Sequence, residues 1–547
     1  MAWNYYVHHY DTNEERDEQK YVPGKGILYP RAGTLGGCTA HNAMITVVPH
    51  DVDWDDIAHR TNDETWHADY MWRYWQRLER CQYWHRPESG HGTKGWLGTS
   101  KVDPTVALGD RNVTGTILAS LFRAARYLGG IGAMFRRLVH RILVGDDPND
   151  IRNKAAFEGV TLTVPLATTY GIRNGAREFV RNTQQQVPDR LFLRMNNLAT
   201  QVILDHDNRA VGVKCREGKN LYRADPNAAQ PPHYEEKEYR CTREVILSGG
   251  TFNTPQLLML SGIGPKEHLE DPKIGIKCRV PLEGVGSNLQ DRYEVGVVSQ
   301  MKEPFSMMEH ATFQPPAPGQ TPDPDFKEWE QGKGLYTSNG AMAAIILKSD
   351  PAREGPPDLF IFSLPGDFHG YYPNYSDYIV TNPKDKLTWA IIKAHTLNNA
   401  GTVRLQSNDP LDRPVIRFHY FDEGSDKSGQ DLDGVLKAVK FVRYMNHGNR
   451  KIKDEILPGP GKVTDDDLRK WIKDNAWGHH ASCTCKMGRA DDPTAVVDHR
   501  FRVIGTKGLR VVDASIFPKI PGFFIVTPIY MISEKAADVI TEDAARG

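Results

Sequence analysis

The sequence predicts a mixed α/β (α+β) fold in which a parallel-sheet unit is joined to a mostly antiparallel sheet, and three stretches carry that reading. Val245-Ile246-Leu247 is a continuous apolar strand that enters Ser248-Gly249-Gly250 and then the helix opening Thr254-Pro255-Gln256-Leu257-Leu258, the strand, glycine turn and helix start of a parallel sheet. Near the end, Leu509 to Val512 read as a short buried strand, followed by Ile529, Ile532, Ala536 and Ile540 at helical spacing. Between these, Leu359-Phe360-Ile361-Phe362, Thr388 to Lys393 and Thr402 to Leu405 are strand-like runs that suit an antiparallel sheet.

Along the chain, the opening Met1 to Tyr6 and the acidic stretch after it have neither the basic start nor the apolar centre of a signal peptide. Residues 28 to 50 form a small-residue loop whose paired glycines, Gly36 and Gly37, let backbone approach a ligand closely. Trp72, Trp75 and Leu78 predict a surface helix packed by aromatics. Residues 116 to 144 predict two basic amphipathic helices broken at Gly129-Gly130, read as a solvated face on a core-packed pair in preference to a membrane surface. A hairpin follows over residues 191 to 213, turning at Asp205 to Asn208, and then a charged loop from 216 to 240. Pro and Gly cluster from 303 to 334, as at a seam before a second domain. The last helix is expected to start near Pro528 with Thr527 capping its free N–H groups, and that end favours an anionic group docked against it.

The chain has 547 residues, enough for two domains. A net charge of -1 and a pI near 7.1 give no basic field for nucleic acid. The seven cysteines are an odd, scattered set, which suits free thiols in a reducing compartment. The longest apolar run, Phe523 to Ile532, is too short to span a bilayer. These features set the expectation of a soluble, cytoplasmic protein whose partners are small molecules.

Gly478-His479-His480-Ala481-Ser482-Cys483-Thr484-Cys485-Lys486-Met487-Gly488 is the strongest catalytic stretch. A histidine there can serve as general base. The same residues offer zinc ligands in His479, His480, Cys483 and Cys485, although the Cys-x-Cys and His-His spacings match no common zinc pattern, so no metal is expected. A hydrogen-bonded core histidine is the third reading.

Four stretches together resemble the glucose-methanol-choline (GMC) oxidoreductases, flavoproteins that oxidise alcohols. Residues 28 to 48 look like that family's first signature and Ser248 to Pro265 like its second. Residues 480 to 488 are similar to its active-site histidine motif, and 509 to 538 to its C-terminal flavin-contacting segment. Smaller echoes sit at Gly284 to Asp291 and Gly401 to Pro410. The resemblance implies an FAD-binding, Rossmann-like domain over residues 1–295, a substrate domain over 296–505 that carries the catalytic histidine, and a strand and helix over 506–547 that return to the FAD domain. It implies that Gly36, Gly37, Asn42 and Ala43 line the flavin, that Val202 meets its adenine end, and that Asp513, Ala514, Thr527 and Pro528 hold the ribityl and ring portion. It makes His480 the residue that takes the alcohol proton, so that the alkoxide carbon gives hydride to flavin N5. His41 stands in Gly-Gly-Cys-Thr-Ala-His-Asn, close to a setting in which some members bond the histidine covalently to the flavin; a covalent bond and a plain contact are both open.

Two departures from the family pattern are visible. No Gly-x-Gly-x-x-Gly with a strand before it occurs, so the chain looks like a member without its first βαβ unit, about 80 residues on typical unit sizes. The expectation that follows is weak FAD binding and aggregation through an opened sheet edge. The family also sets a second histidine or asparagine opposite the catalytic one, eleven residues after the aspartate matching Asp513; that register lands on Phe524, beside Phe523, and neither can hydrogen-bond an alkoxide. Tyr530 is then the candidate polar group, and the aromatic pair favours a bulky or long-chain alcohol. The leading reading is an FAD-dependent alcohol dehydrogenase or oxidase, with choline-like or other primary alcohols as candidate substrates. A lyase on the same fold, and an inactive or split-enzyme fragment, are the alternatives.

Overall fold

The computed structural model describes all residues except 13, 14, 16, 17, 84–86, 103–105, 107, 108, 128–146, 154–157, 162, 163, 382 and 547. The larger body is built on a six-stranded sheet in which every strand pair is antiparallel. Across it the strands run Ile452–Leu457, Tyr293–Met301, Lys386–Lys393, Leu359–Leu364, Ala344–Leu347 and Gly159–Thr161. The central strands are buried along almost their whole length, which is why they read as continuous apolar runs and not as alternating ones. The helix Gln430–Asn446 covers one face with Leu432, Val435, Leu436, Val439 and Val442. The edge strand Gly159–Thr161 comes from far upstream, and Tyr293–Met301 lies before the Pro/Gly-rich stretch at 303–334, so the chain crosses between bodies more than once.

The smaller body holds the one parallel pair expected from the apolar runs, with Val245–Leu247 beside Leu509–Val511 in register Val245↔Leu509. Leu247, Leu258, Met259, Val511 and Ile532 share a single core. The middle residue of the first strand, Ile246, is 45% exposed. The predicted hairpin forms as Asn197–Leu204 against Ala210–Glu217, and it carries a third strand, Glu235–Arg240, from the stretch read as a charged loop. That segment is exposed and polar, and its pairing is reinforced by Arg216 with Glu236 and Lys237 with Glu217. Propensity gave no sign of it because cross-strand ion pairs, not burial, supply the side-chain contacts.

The helix Ala68–Leu78 buries Met71, Trp72, Trp75 and Leu78, as the aromatic spacing predicted. Of the basic segment, Arg111–Tyr127 is helical and packs Val113, Ile117 and Ala124 into the large core; the expected break at Gly129-Gly130 and the second helix lie outside the described residues. The last helix, Val526–Arg546, begins two residues before Pro528. Thr527 is therefore a buried first-turn residue and not the cap, and Ile529 N–H closes the first turn onto Ile525 C=O. Pro528 still sits in the first turn, where its missing donor costs nothing. All seven cysteines are free thiols. Among the described residues no helix is long and apolar enough to cross a membrane.

Candidate active site

The site grows from one strand near the start, Gly26–Ala32, which pairs with Ala2–Val7 and presents Tyr29 and Arg31. The Tyr29 hydroxyl donates to Asp291 Oδ2 and accepts from the Ala481 N–H at 2.9 Å. Asp291 Oδ1 accepts from the backbone N–H groups of Arg292 at 2.7 Å and His480 at 2.9 Å. The residues flanking the histidine are thus hung from one buried carboxylate. Gly478 is required beside it: a Cβ there would lie 2.4 Å from Asp291 Oδ2 and 2.9 Å from Arg292 O. Arg31 extends the link to the glycine loop, donating to His479 O at 3.2 Å and lying 3.8 Å from Cys38 Sγ.

That loop is the left-handed pair Gly36 (φ 87°) and Gly37 (φ 56°) followed by the short turn Gly37–Ala40. A Cβ on Gly36 would strike Arg177 at 2.9 Å, whereas one on Gly37 would meet nothing within 4 Å. Arg173 clamps the next residues, donating to Thr39 O at 3.1 Å, Asn42 Oδ1 at 2.7 Å and Asn42 O at 2.7 Å. Ala43 O accepts from Asn339 at 2.8 Å. His41 is exposed, and its backbone N–H donates to Cys38 O at 3.2 Å. Burial opposes ionisation of the Cys38 thiol, but the Arg31 guanidinium and His41 outweigh it and bring the thiol down to about 6.

The C-terminal segment runs alongside the histidine stretch, with Cys483, Cys485 and Met487 N–H bonded to the carbonyls of Ala514, Ser515 and Ile516. Asp513 ties this segment to the helix Gly250–Leu260 by accepting from Gly250 N–H at 2.9 Å and from Thr254 Oγ1 at 2.5 Å. Val202 lies on the hairpin strand, buried in the smaller body's core, and its N–H donates to Ser261 Oγ at 2.8 Å. Thr527 and Pro528 are buried at the start of the last helix.

His480 is buried, and the Phe524 ring meets it edge-on at 5.8 Å. Burial, the neighbouring imidazole of His479 and the charge of Arg292 push His480 down to about 3, so its ring is neutral. Its Nδ1 lies 3.2 Å from Glu294 Oε1, as does His479 Nδ1, though neither contact has hydrogen-bond angles. Burial alone would raise the Glu294 carboxyl, but the His479 and His480 imidazoles hold it down to about 2. Arg292, fully buried, holds the loop carrying the two phenylalanines by donating from Nη2 to Pro521 O at 2.5 Å and Gly522 O at 2.7 Å. Phe523 packs against His50 at 5.2 Å and Phe360 at 5.3 Å.

The structure therefore brings Phe524 to His480 and joins both to the glycine loop through Arg31 and Asp291. Tyr530 is elsewhere: its ring meets Trp96 at 5.1 Å, and its hydroxyl lies beside Gly175 and Thr39. Cys483 and Cys485 are buried in the smaller body's core, so the zinc set of two histidines and two cysteines does not form. Tyr29, Arg31, Asp291, Arg292 and Glu294 were not singled out from sequence. For Glu294 a signal existed, a lone charge in the apolar run Tyr293 to Val298.

The space over Gly37 is open, and Arg31 ties this loop to the histidine stretch through Cys38 and His479. The chain belongs to the GMC oxidoreductase family, whose N-terminal model matches residues 19–294 and whose C-terminal model matches 398–533. It is an FAD-dependent oxidoreductase. An oxygen-dependent choline dehydrogenase of Staphylococcus aureus is 28% identical over 565 aligned positions, covering 97% of this chain and 83% of that one. The crystal structure of pyridoxine 4-oxidase from Mesorbium loti superposes with a TM-score of 0.71 at 19% identity over 98% of this chain and 88% of that one. That of a formate oxidase gives 0.76 at 21% identity, over 99% and 88%.

Proposed function

We propose that the chain oxidises an alcohol, with His480 as the residue that takes the hydroxyl proton. The observation that carries this is the buried, neutral imidazole whose Nδ1 faces the Glu294 carboxylate at 3.2 Å. The negative charge of the carboxylate favours the tautomer with the proton on the nitrogen that faces it, Nδ1, and leaves the Nε2 lone pair free. Bound FAD supplies a two-electron acceptor for the hydride that leaves the carbinol carbon. Gly36, Gly37, Asn42 and Ala43 are proposed to line its ring, with His41 beside them. Asp513, Ala514, Thr527 and Pro528 would hold the part between ring and adenine, and Val202 the adenine end.

Asp291 and Gly478 set the height of His480 through the backbone, and Phe524 excludes water from the ring on one side. With Phe524 opposite His480, no second side chain on that loop can share the proton, so proton removal rests on His480 alone. Phe523 and Phe524 give the pocket an apolar wall that suits the hydrocarbon part of a bulky or long-chain alcohol. The choline dehydrogenase relative makes choline and related primary alcohols the first to try. The test is anaerobic bleaching of flavin absorbance against a panel of alcohols, with FAD in excess. His480→Ala is expected to keep its flavin and lose bleaching; bleaching at the original rate would remove the proposal.

A further inference from the structure

Three ligand atoms converge beside the proposed base. Glu294 Oε1, His479 Nδ1 and His480 Nδ1 all lie within 4.8 Å of one another, and Oε1 is 3.2 Å from each nitrogen. None of the three has a hydrogen-bond partner. The side chains of Glu294 and His480 are 3% and 8% exposed and that of His479 29%, so the cluster is closed on the protein side and reachable past His479. A buried polar atom left without a partner is destabilising, so something that satisfies all three at once is favoured.

We propose that Glu294, His479 and His480 form a binding site for a divalent ion of the zinc class, and that occupancy silences His480 as proton acceptor. The donor set of two imidazoles and one carboxylate is one that zinc takes in open, three-ligand sites. Tetrahedral bonds of about 2.0–2.1 Å place neighbouring ligand atoms about 3.3 Å apart, which matches the 3.2 Å separations. Tyr371, edge-on to His479 at 5.4 Å, and the close, tilted approach of the His479 and His480 rings at 3.9 Å hold both imidazoles. The guanidinium of Arg292 opposes a cation here, which makes the site weaker than a structural zinc centre and its occupancy reversible.

The silencing half rests on the proposed role of His480 and follows from proton bookkeeping. A neutral imidazole carries one proton. In the free protein Glu294 favours that proton on Nδ1; an ion that takes the Nδ1 lone pair leaves it on Nε2, where the ring donates and cannot accept. No proton is consumed or released by that change of tautomer, and no electron moves.

The experiment uses the FAD-loaded protein and Zn²⁺ as probe. Equilibrium dialysis followed by metal analysis is expected to give one tightly held equivalent per chain, lost in His479→Ala and in Glu294→Gln. In parallel, Zn²⁺ is expected to abolish anaerobic bleaching by an alcohol, EDTA to restore it, and His479→Ala to keep in Zn²⁺ the whole of its own metal-free bleaching rate, whatever that rate is, at concentrations that stop the original chain. Failure to bind an equivalent that depends on His479 and Glu294 overturns the site, and inhibition equal in His479→Ala places the ion elsewhere and overturns it too. Binding without inhibition overturns the silencing. If metal-free protein bleaches with no alcohol, the alcohol reading and the silencing fall together, while the dialysis still decides the site.

Discussion

Gly478→Ala tests whether the backbone sets the position of His480. The new Cβ would sit 2.4 Å from Asp291 Oδ2, where ordinary contact begins near 3.4 Å, so carboxylate and methyl must separate by about 1 Å. Asp291 cannot withdraw alone, because it accepts from Tyr29, Arg292 and His480. The shift is passed to the His480 backbone two residues away. Displacement of a reacting group by about 1 Å costs on the order of 100-fold in rate, equivalent to about 2.7 kcal/mol on the barrier. Stopped-flow flavin bleaching under anaerobic conditions reads this directly, with FAD content measured in the same sample. A variant at full flavin occupancy that reacts within about threefold of the parent, under 1 kcal/mol, would show that the imidazole is not placed through Asp291.

Phe524→Ala removes a ring that packs on His480 and Phe360; it is expected to cost about 3–5 kcal/mol in denaturant unfolding and to raise KM more for bulky alcohols than for small ones. The pH dependence of stability follows from His480 and His50, which burial holds at about 3 and about 4 in the fold, below the 6.5 of an unfolded histidine. The unfolded chain then binds more protons on acidification, so the contribution of these groups is whole above pH 6.5 and falls away as pH drops toward 3. His480→Gln is expected to flatten that limb in unfolding measured from pH 7 to pH 4. With His41 read as a plain contact residue, acid precipitation is expected to release the yellow colour into the supernatant; colour held in the pellet, and freed in His41→Ala, would assign a covalent bond instead.

Much of this architecture is written in local patterns. Val245 to Leu247 and Leu509 to Val511 announce their strands as continuous apolar or buried runs, the second buried on both faces and the first on one, and the Gly36–Gly37 pair announces a loop that a ligand can approach. The family resemblance singled out His480 and put Phe524 in the register opposite it, and the ring contact is there. What escaped is what depends on meetings between distant residues. Tyr29 bonds Asp291 across 262 positions, and nothing in either neighbourhood shows it. Glu294 meets two imidazoles because its backbone pairs with Trp477, which brings His479 and His480 to it. Tyr530 looked available as a polar group, but helical phase turns it toward Trp96. The strand Glu235–Arg240 is invisible to hydropathy because its partners are charges.

The segment Ile520 to Gly522, which leads into Phe523 and Phe524, is hydrogen-bonded through its main chain: Ile520 N–H to Gln290, Pro521 and Gly522 C=O to Arg292, and Gly522 N–H to Asp53. None of those bonds consults the identity of the side chains it displays. Replacements at positions 523 and 524 that keep the packing volume can therefore reshape the surface shown to an incoming molecule while the main-chain frame stays put, which makes this short stretch a faceplate for tuning which molecules the protein accepts.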